Sequence, residues 1–152
     1  MTLRNHLKQF GYDIAVNELR QLACDTGTAL SYHSVMYLDI ISYQALQGEC
    51  TVSSLARALH ISKSAVTIKI GELMQQGLVT KTQSRRDKRI YLLRVGDEVE
   101  AILAAYGSPF ERAIERIEAQ FSAEQIACFC QVLQTFSKEF TEDLHYGRTT
   151  HL

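Results

Sequence analysis

The 152-residue chain has one proline, Pro109, and no tryptophan. So few breakers exclude a proline-rich or collagen-like chain and leave room for long helices. Long apolar runs are missing too: no stretch approaches the roughly 20 apolar residues that span a bilayer. Met1-Thr2-Leu3-Arg4-Asn5-His6 opens an amphipathic pattern and not a signal peptide, so a cytoplasmic protein away from the membrane is expected. Four cysteines, Cys24, Cys50, Cys128 and Cys130, show no C-x-x-C spacing, and no His pair stands at ligand spacing. A zinc pattern is thereby excluded, and reduced, mostly buried thiols are expected. Nucleophile elbow, phosphate loop and Rossmann signature are all absent, so neither an enzyme nor a cofactor is expected.

What is present is segregated charge. Residues 57–94 hold nine Lys or Arg (Arg57, Lys63, Lys69, Lys81, Arg85, Arg86, Lys88, Arg89, Arg94) against Glu72 and Asp87, a local charge of +7. The remainder carries −8, so the total of −1 conceals the split. Such segregation is the footprint of a surface that meets phosphates, the plain alternative being a solvated basic face. Apolar residues make up 46% of the chain, which excludes disorder.

Apolar steps of three and four predict a first helix over 3–23, broken at Asp25-Thr26-Gly27-Thr28. A second runs from about Ser31 to Gln47, with Val35, Leu38, Ile41, Ser42 and Ala45 on one face and Gly48 as its stop. Thr51 to His60 reads as a short third helix with Leu55, Ala56 and Leu59 inward. Ser62 suits the N-cap of a fourth over 63–76, with Val66, Ile70, Leu73 and Met74 inward and Gly77 in the C′ position. Two strands, Leu78 to Gln83 and Arg89 to Val95, flank a charged tip at Ser84 to Lys88. A hairpin directly after a helix-turn-helix makes a winged helix.

Asp97 and Glu100 resemble an acidic capping box for a fifth helix, with Val99, Ile102, Leu103 and Tyr106 apolar. Ser108, Pro109 and Glu111 carry the marks of a new start, so a kink or restart is expected near 108. Ser122 and Gln125 open the last helix, whose stripe is Phe129, Val132, Leu133, Phe136, Phe140 and Leu144. The expected fold is therefore mainly α (α+β): a winged helix-turn-helix lobe over 31–95, and a helical dimerisation lobe from 1–30 plus 96–148. The terminal stripes exceed what the small core can cover, so a two-fold homodimer is expected, with a monomer folded back on itself as the alternative.

A helix in the major groove of double-stranded DNA reads bases with its N-terminal side chains. Ser62, Lys63, Ser64, Thr67, Ile68 and Lys69 are the candidates, with Arg85, Arg86, Asp87, Lys88 and Arg89 in the wing. The run Leu55-Ala56-x-x-Leu59-x-Ile61-Ser62-Lys63-Ser64-x-Val66-Thr67, then Gly77-Leu78-Val79, then Asp87-Lys88-Arg89, resembles the multiple antibiotic resistance regulator (MarR) family over nearly the whole chain. The resemblance implies a winged-helix transcriptional regulator, an obligate homodimer built from the terminal helices. Such a protein is usually a repressor released by a ligand or by oxidation. It also implies that Arg89 enters the minor groove and that Asp87 fixes the wing by pairing with a basic group. The chain departs from the pattern at Ile68, where relatives often carry Arg, at Gly71 inside the helix, and at Val95-Gly96 after the wing. Capping of the fifth helix then falls to Gly96 or Asp97.

By the same resemblance, a small-molecule effector would sit near Tyr12, Tyr32, His33 and Tyr37, whose polar tips suit a phenolic or carboxylate ligand. Core or interface packing is the competing role for these rings. Cys24 is the candidate for a redox sensor, with Arg20 as a nearby positive charge and Asp25 opposing thiolate formation. A winged helix serving as a protein-interaction module without DNA binding is the rival from another class; the basic wing and Lys63 argue against it.

Overall fold

The computed structural model of the chain describes residues 2–24 and 30–149, with side chains except those at 21–24, 106 and 143–149. The expected break at 25–28, the Cys24 thiol, Leu22, Tyr106 and Leu144 fall outside what is described. The elements are α1 (Leu3–Cys24), α2 (Tyr32–Gln47), α3 (Val52–Leu59), α4 (Lys63–Gln75), β1 (Val79–Gln83), β2 (Tyr91–Val95), α5 (Asp97–Gln120) and α6 (Ala123–Thr149). The chain divides into two compact units, Met1–Tyr106 and Gly107–Leu152.

The first unit holds the core. Leu38 and Ile41 of α2, Leu55 of α3, Val66, Ile70 and Leu73 of α4, Val79 and Leu93 of the strands and Val99 of α5 are buried together, with Cys50 and Tyr37. The strands pair antiparallel from Val79–Val95 to Gln83–Tyr91. The Leu93 N–H also donates to the Cys50 carbonyl at 2.8 Å, which seats the hairpin beside the start of α3. Met74, expected inward, is 39% exposed. Positions 66, 70 and 73 already fill the narrow inward stripe, and Met74 lies about 100° past Leu73.

Local side chains set the ends of the elements. Ser31 caps α2 by accepting from the Ser34 N–H, and Thr51 and Ser54 form a reciprocal box on α3. Gly77 has φ +73° and closes α4: its N–H donates to Met74 O, and that of Leu78 to Leu73 O at 2.9 Å. Leu78 is thereby spent on the cap, so β1 begins at Val79. Gly71, by contrast, sits in the helix, and a Cβ added there would meet nothing within 4 Å. Among the described residues no close approach requires a glycine at that position. Chemical denaturation should show Gly71→Ala more stable by up to about 1 kcal/mol. Gly77→Ala should be less stable by about 1–2 kcal/mol, because a Cβ is strained at positive φ. Equal effects at the two positions would refute this assignment.

The start of α5 uses Gly96, whose carbonyl accepts from the Glu100 N–H at 2.9 Å. Glu100 makes no side-chain box with Asp97; both its oxygens accept from the buried Ser42 hydroxyl of α2 at 3.1 Å. Nor does the chain restart at Ser108. α5 runs unbroken through Pro109, with Arg112 donating to Ser108 Oγ. A break would strand several carbonyls and N–H groups, whereas Pro109 removes one helical hydrogen bond. In the second unit Ser122 and Gln125 do form the expected reciprocal cap. Phe129, Val132, Leu133, Phe136 and Phe140 of α6 are all exposed, and the rings of Phe136 and Phe140 stack at 5.8 Å.

Candidate nucleic-acid interface

The turn between α3 and α4 is short and tightly bonded. His60 takes the left-handed conformation at φ 52°, and the Ile61 N–H returns to Ala56 O. Ser62 Oγ then accepts from the Ala65 N–H at 3.1 Å and starts α4. Ser54 Oγ, also within 2.7 Å of Gln44 Oε1, ties α3 to α2. With Val66, Ile70 and Leu73 inward, Lys63, Ser64, Thr67 and Ile68 are exposed. Thr67 Oγ1 donates to Lys63 O at 2.8 Å, which holds its rotamer. Ile68 is 66% exposed, an apolar tip in a basic setting.

Lys69 departs from this arc. Its side chain is 17% exposed, and its ammonium donates to Ser34 Oγ of α2 and to Glu72, both at 3.2 Å. The residue expected to face DNA is turned toward its own fold.

The wing tip is built by polar side chains that fold it around a serine. Ser84 is buried, and its Oγ accepts from the Arg86 and Asp87 N–H groups at 3.3 and 3.5 Å. Asp87 Oδ1 accepts from the Arg89 N–H at 2.9 Å, and Gln83 Nε2 donates to Lys88 O at 2.6 Å. The Ile90 N–H closes onto Asp87 O, which is why β2 begins at Tyr91 and not Arg89. Asp87 thus fixes the wing through a backbone N–H, not by the expected pairing with a basic group. Arg85, Arg86, Lys88 and Arg89 are exposed. Among the described residues the ion pairs are Lys69–Glu72 and Lys138–Glu142, so all four wing charges stay uncompensated. Behind them Lys81 sits 4.4 Å above the Tyr91 ring. Ser84 gave no distinct signal in the sequence, although serine favours such turns. Gln83 gave none either, since its partner is chosen by the folded tip.

Three of the effector candidates lie on α2 and one, Tyr12, on α1. Tyr37 is buried in the core, and His33 meets its ring edge-on at 5.0 Å. Tyr32 donates its hydroxyl to Glu18 of α1 at 3.0 Å, and this bond to the carboxylate raises the phenol's pKa. Tyr12 is 64% exposed and makes no hydrogen bond or ring contact among the described residues. An open apolar depression lies elsewhere, lined by Asp39, Ile40, Tyr43, Gln44, Ala58 and Leu59. Burial, followed by the charge of Glu18, raises the pKa of Asp39 at its rim. Burial also pushes the Cys50 thiol to about 11, which leaves it unreactive; Cys128 and Cys130 are exposed on α6. Among the described residues no three His, Cys, Asp or Glu side chains gather as a metal would need, and no helix is long and apolar enough to cross a membrane.

Residues 33–90, which hold the helix-turn-helix and most of the wing, match the family model described as the MarR family. The HTH-type transcriptional regulator BilQ of Clostridioides difficile (strain CD3) is 27% identical over 96 residues. That match covers 63% of this chain and 57% of BilQ, little more than half of the relative's length. Among solved structures, Streptococcus pneumoniae FabT in complex with DNA is similar with a TM-score of 0.69 at 21% identity, over 93% of this chain and 96% of its own. MarR is similar with a TM-score of 0.56 at 19% identity, over 93% and 92% of the two chains. At such identities the structural likeness establishes the fold, a winged helix with long terminal helices.

Proposed function

We propose that this chain, whose residues 33–90 match the MarR family model, is a transcriptional regulator of that family that binds double-stranded DNA as a homodimer, acting as a repressor released by a small ligand. The observation that carries the DNA reading is the wing: four uncompensated cations on a tip braced by Ser84 and Asp87, beside an exposed recognition arc. Solvated charges held on a rigid support lose little entropy on meeting phosphates, and they release counterions. A phenolic or carboxylate effector would find the polar tips of Tyr32 and His33 at the start of α2, where Tyr32 is already bonded to α1.

Fluorescence polarisation with labelled genomic fragments over a salt series tests the reading. Affinity should fall steeply with salt, and selection should yield a preferred sequence. A protein without measurable affinity for any duplex at low salt would refute it.

Within the arc the roles divide. Lys63→Ala should weaken binding evenly across sequences and flatten the salt slope by about one, because an ammonium is a counter-charge more than a reader. Ile68→Ala should change base preference, since an exposed apolar tip suits a thymine methyl. Binding-site selection with each variant decides. A changed preferred sequence for Lys63→Ala, with none for Ile68→Ala, would reverse the assignment.

A further inference from the structure

Lys69 raises a question that the DNA interface leaves unanswered. Eight of the nine cations in 57–94 are free of acid partners among the described residues; this one is paired with Glu72 and largely covered. Its ammonium lies 3.2 Å from Ser34 Oγ, the hydroxyl of a residue that is 4% exposed. An ammonium has three protons and no lone pair, so Ser34 Oγ must accept from it. Ser34 Oγ is also hydrogen-bonded to Ser31 Oγ, 3.0 Å away, and Ser31 Oγ accepts the Ser34 N–H as the cap of α2. Hydrogen bonds thus connect the recognition helix to the N-terminal cap of α2 through Ser34.

A cation beside a helix N-terminus has the unfavourable sign for the helix dipole. Local stability of α2 therefore does not account for the lysine, while Glu72 offsets its charge from the side of α4. The bond bridges two elements, and it sits next to the exposed arc, one residue from Ile68. It joins α4 to the first turn of α2 through one donor and one acceptor. The same turn of α2 holds Tyr32, bonded to Glu18 of α1, and His33 against Tyr37.

We propose that Lys69 is a positioning residue, which holds the recognition helix to the first turn of α2 through Ser34 and makes that turn the place where the pose of the DNA-reading arc is set. This rests on the DNA-binding reading above and assigns Lys69 a role without phosphate contact.

The test is a double-mutant cycle read by DNA titration on one selected duplex and on a scrambled one, over a salt series. Lys69→Met keeps the apolar stem and loses the ammonium; Ser34→Ala removes the acceptor. Each should weaken specific binding about five- to tenfold. The double variant should be no weaker than the weaker-binding single one. The salt slope should stay at the parent value, the ratio of specific to scrambled affinity should fall, and Lys69→Arg should restore most of the affinity. A merely destabilising change in a protein that circular dichroism shows to be folded would leave that ratio unaltered. A slope lowered by about one with Ser34→Ala neutral would overturn the proposal and give Lys69 to a phosphate, and so would additive single effects. A parent that binds no duplex would overturn the DNA reading itself; a parent that binds, with variants that do not couple, overturns this inference alone.

Discussion

Phe136→Glu is expected to convert the protein from a dimer to a monomer. In sedimentation the parent should run at twice the 17.2 kDa chain mass at low micromolar concentration, and the variant at the chain mass. Along α6, Phe129, Val132, Phe136 and Phe140 are 63, 46, 42 and 55% exposed, on one stripe at helical spacing. Phe110 and Ile117 of α5 and Phe10 and Leu19 of α1 are exposed as well. Exposed apolar surface of this extent is characteristic of an interface and not of a solvated helix. Self-association by a two-fold axis would cover it without any further partner. Losing the Phe136 ring costs about 3–5 kcal/mol, and burying an unpaired carboxylate adds several more. A two-fold homodimer that reads DNA would need its two recognition helices about one DNA turn apart, roughly 34 Å. DNA affinity should therefore fall with the dimer. A parent that is monomeric and stable at that concentration would end the dimer proposal.

Arg89→Ala should weaken DNA binding by about 1–3 kcal/mol, with a shallower salt slope. The Arg89 N–H is held by Asp87 Oδ1 at 2.9 Å, so its side chain leaves the wing from a fixed backbone. A narrow tip with an arginine on it fits a minor groove, where width and negative potential favour the guanidinium. The geometry adds a second arm. Asp87→Asn keeps an oxygen that can accept from the Arg89 N–H, and it removes a negative charge from a tip that is proposed to meet phosphates. Its affinity should equal or exceed that of the parent, whereas Asp87→Ala should lose affinity with the turn. Parallel titrations at fixed salt, with folding checked by circular dichroism, separate these cases. Unchanged affinity for Arg89→Ala places that residue outside the interface. Equal losses for Asp87→Asn and Asp87→Ala restore the ion-pair role.

Much of the fold was legible because its signals are local. Ser31, Thr51 and Ser62 each cap a helix through a backbone N–H three residues on, and Gly77 closes α4 through positive φ. These interactions span a few residues, so short windows of sequence carry them. The inward stripes of α2, α3 and α4 follow from helical period in the same way. Charge segregation is a property of composition, and it located the basic surface without coordinates.

The amino-acid sequence by itself therefore determined the order of the elements, the caps at Ser62, Gly77 and Ser122, most of the inward faces and the basic segment. Tertiary structure decided what depended on partners distant in the chain. Lys69 lies one residue from the exposed Ile68, yet Ser34, 35 residues away, turns it inward. Glu100 has the spacing of a cap, yet a hydroxyl 58 residues away claims it. Pro109 carries the marks of a helix start, yet α5 continues through it, because ending two helices leaves more backbone groups unpaired than one proline removes. In each case a local propensity worth about 1 kcal/mol yielded to satisfying buried or charged groups, which costs more to leave undone.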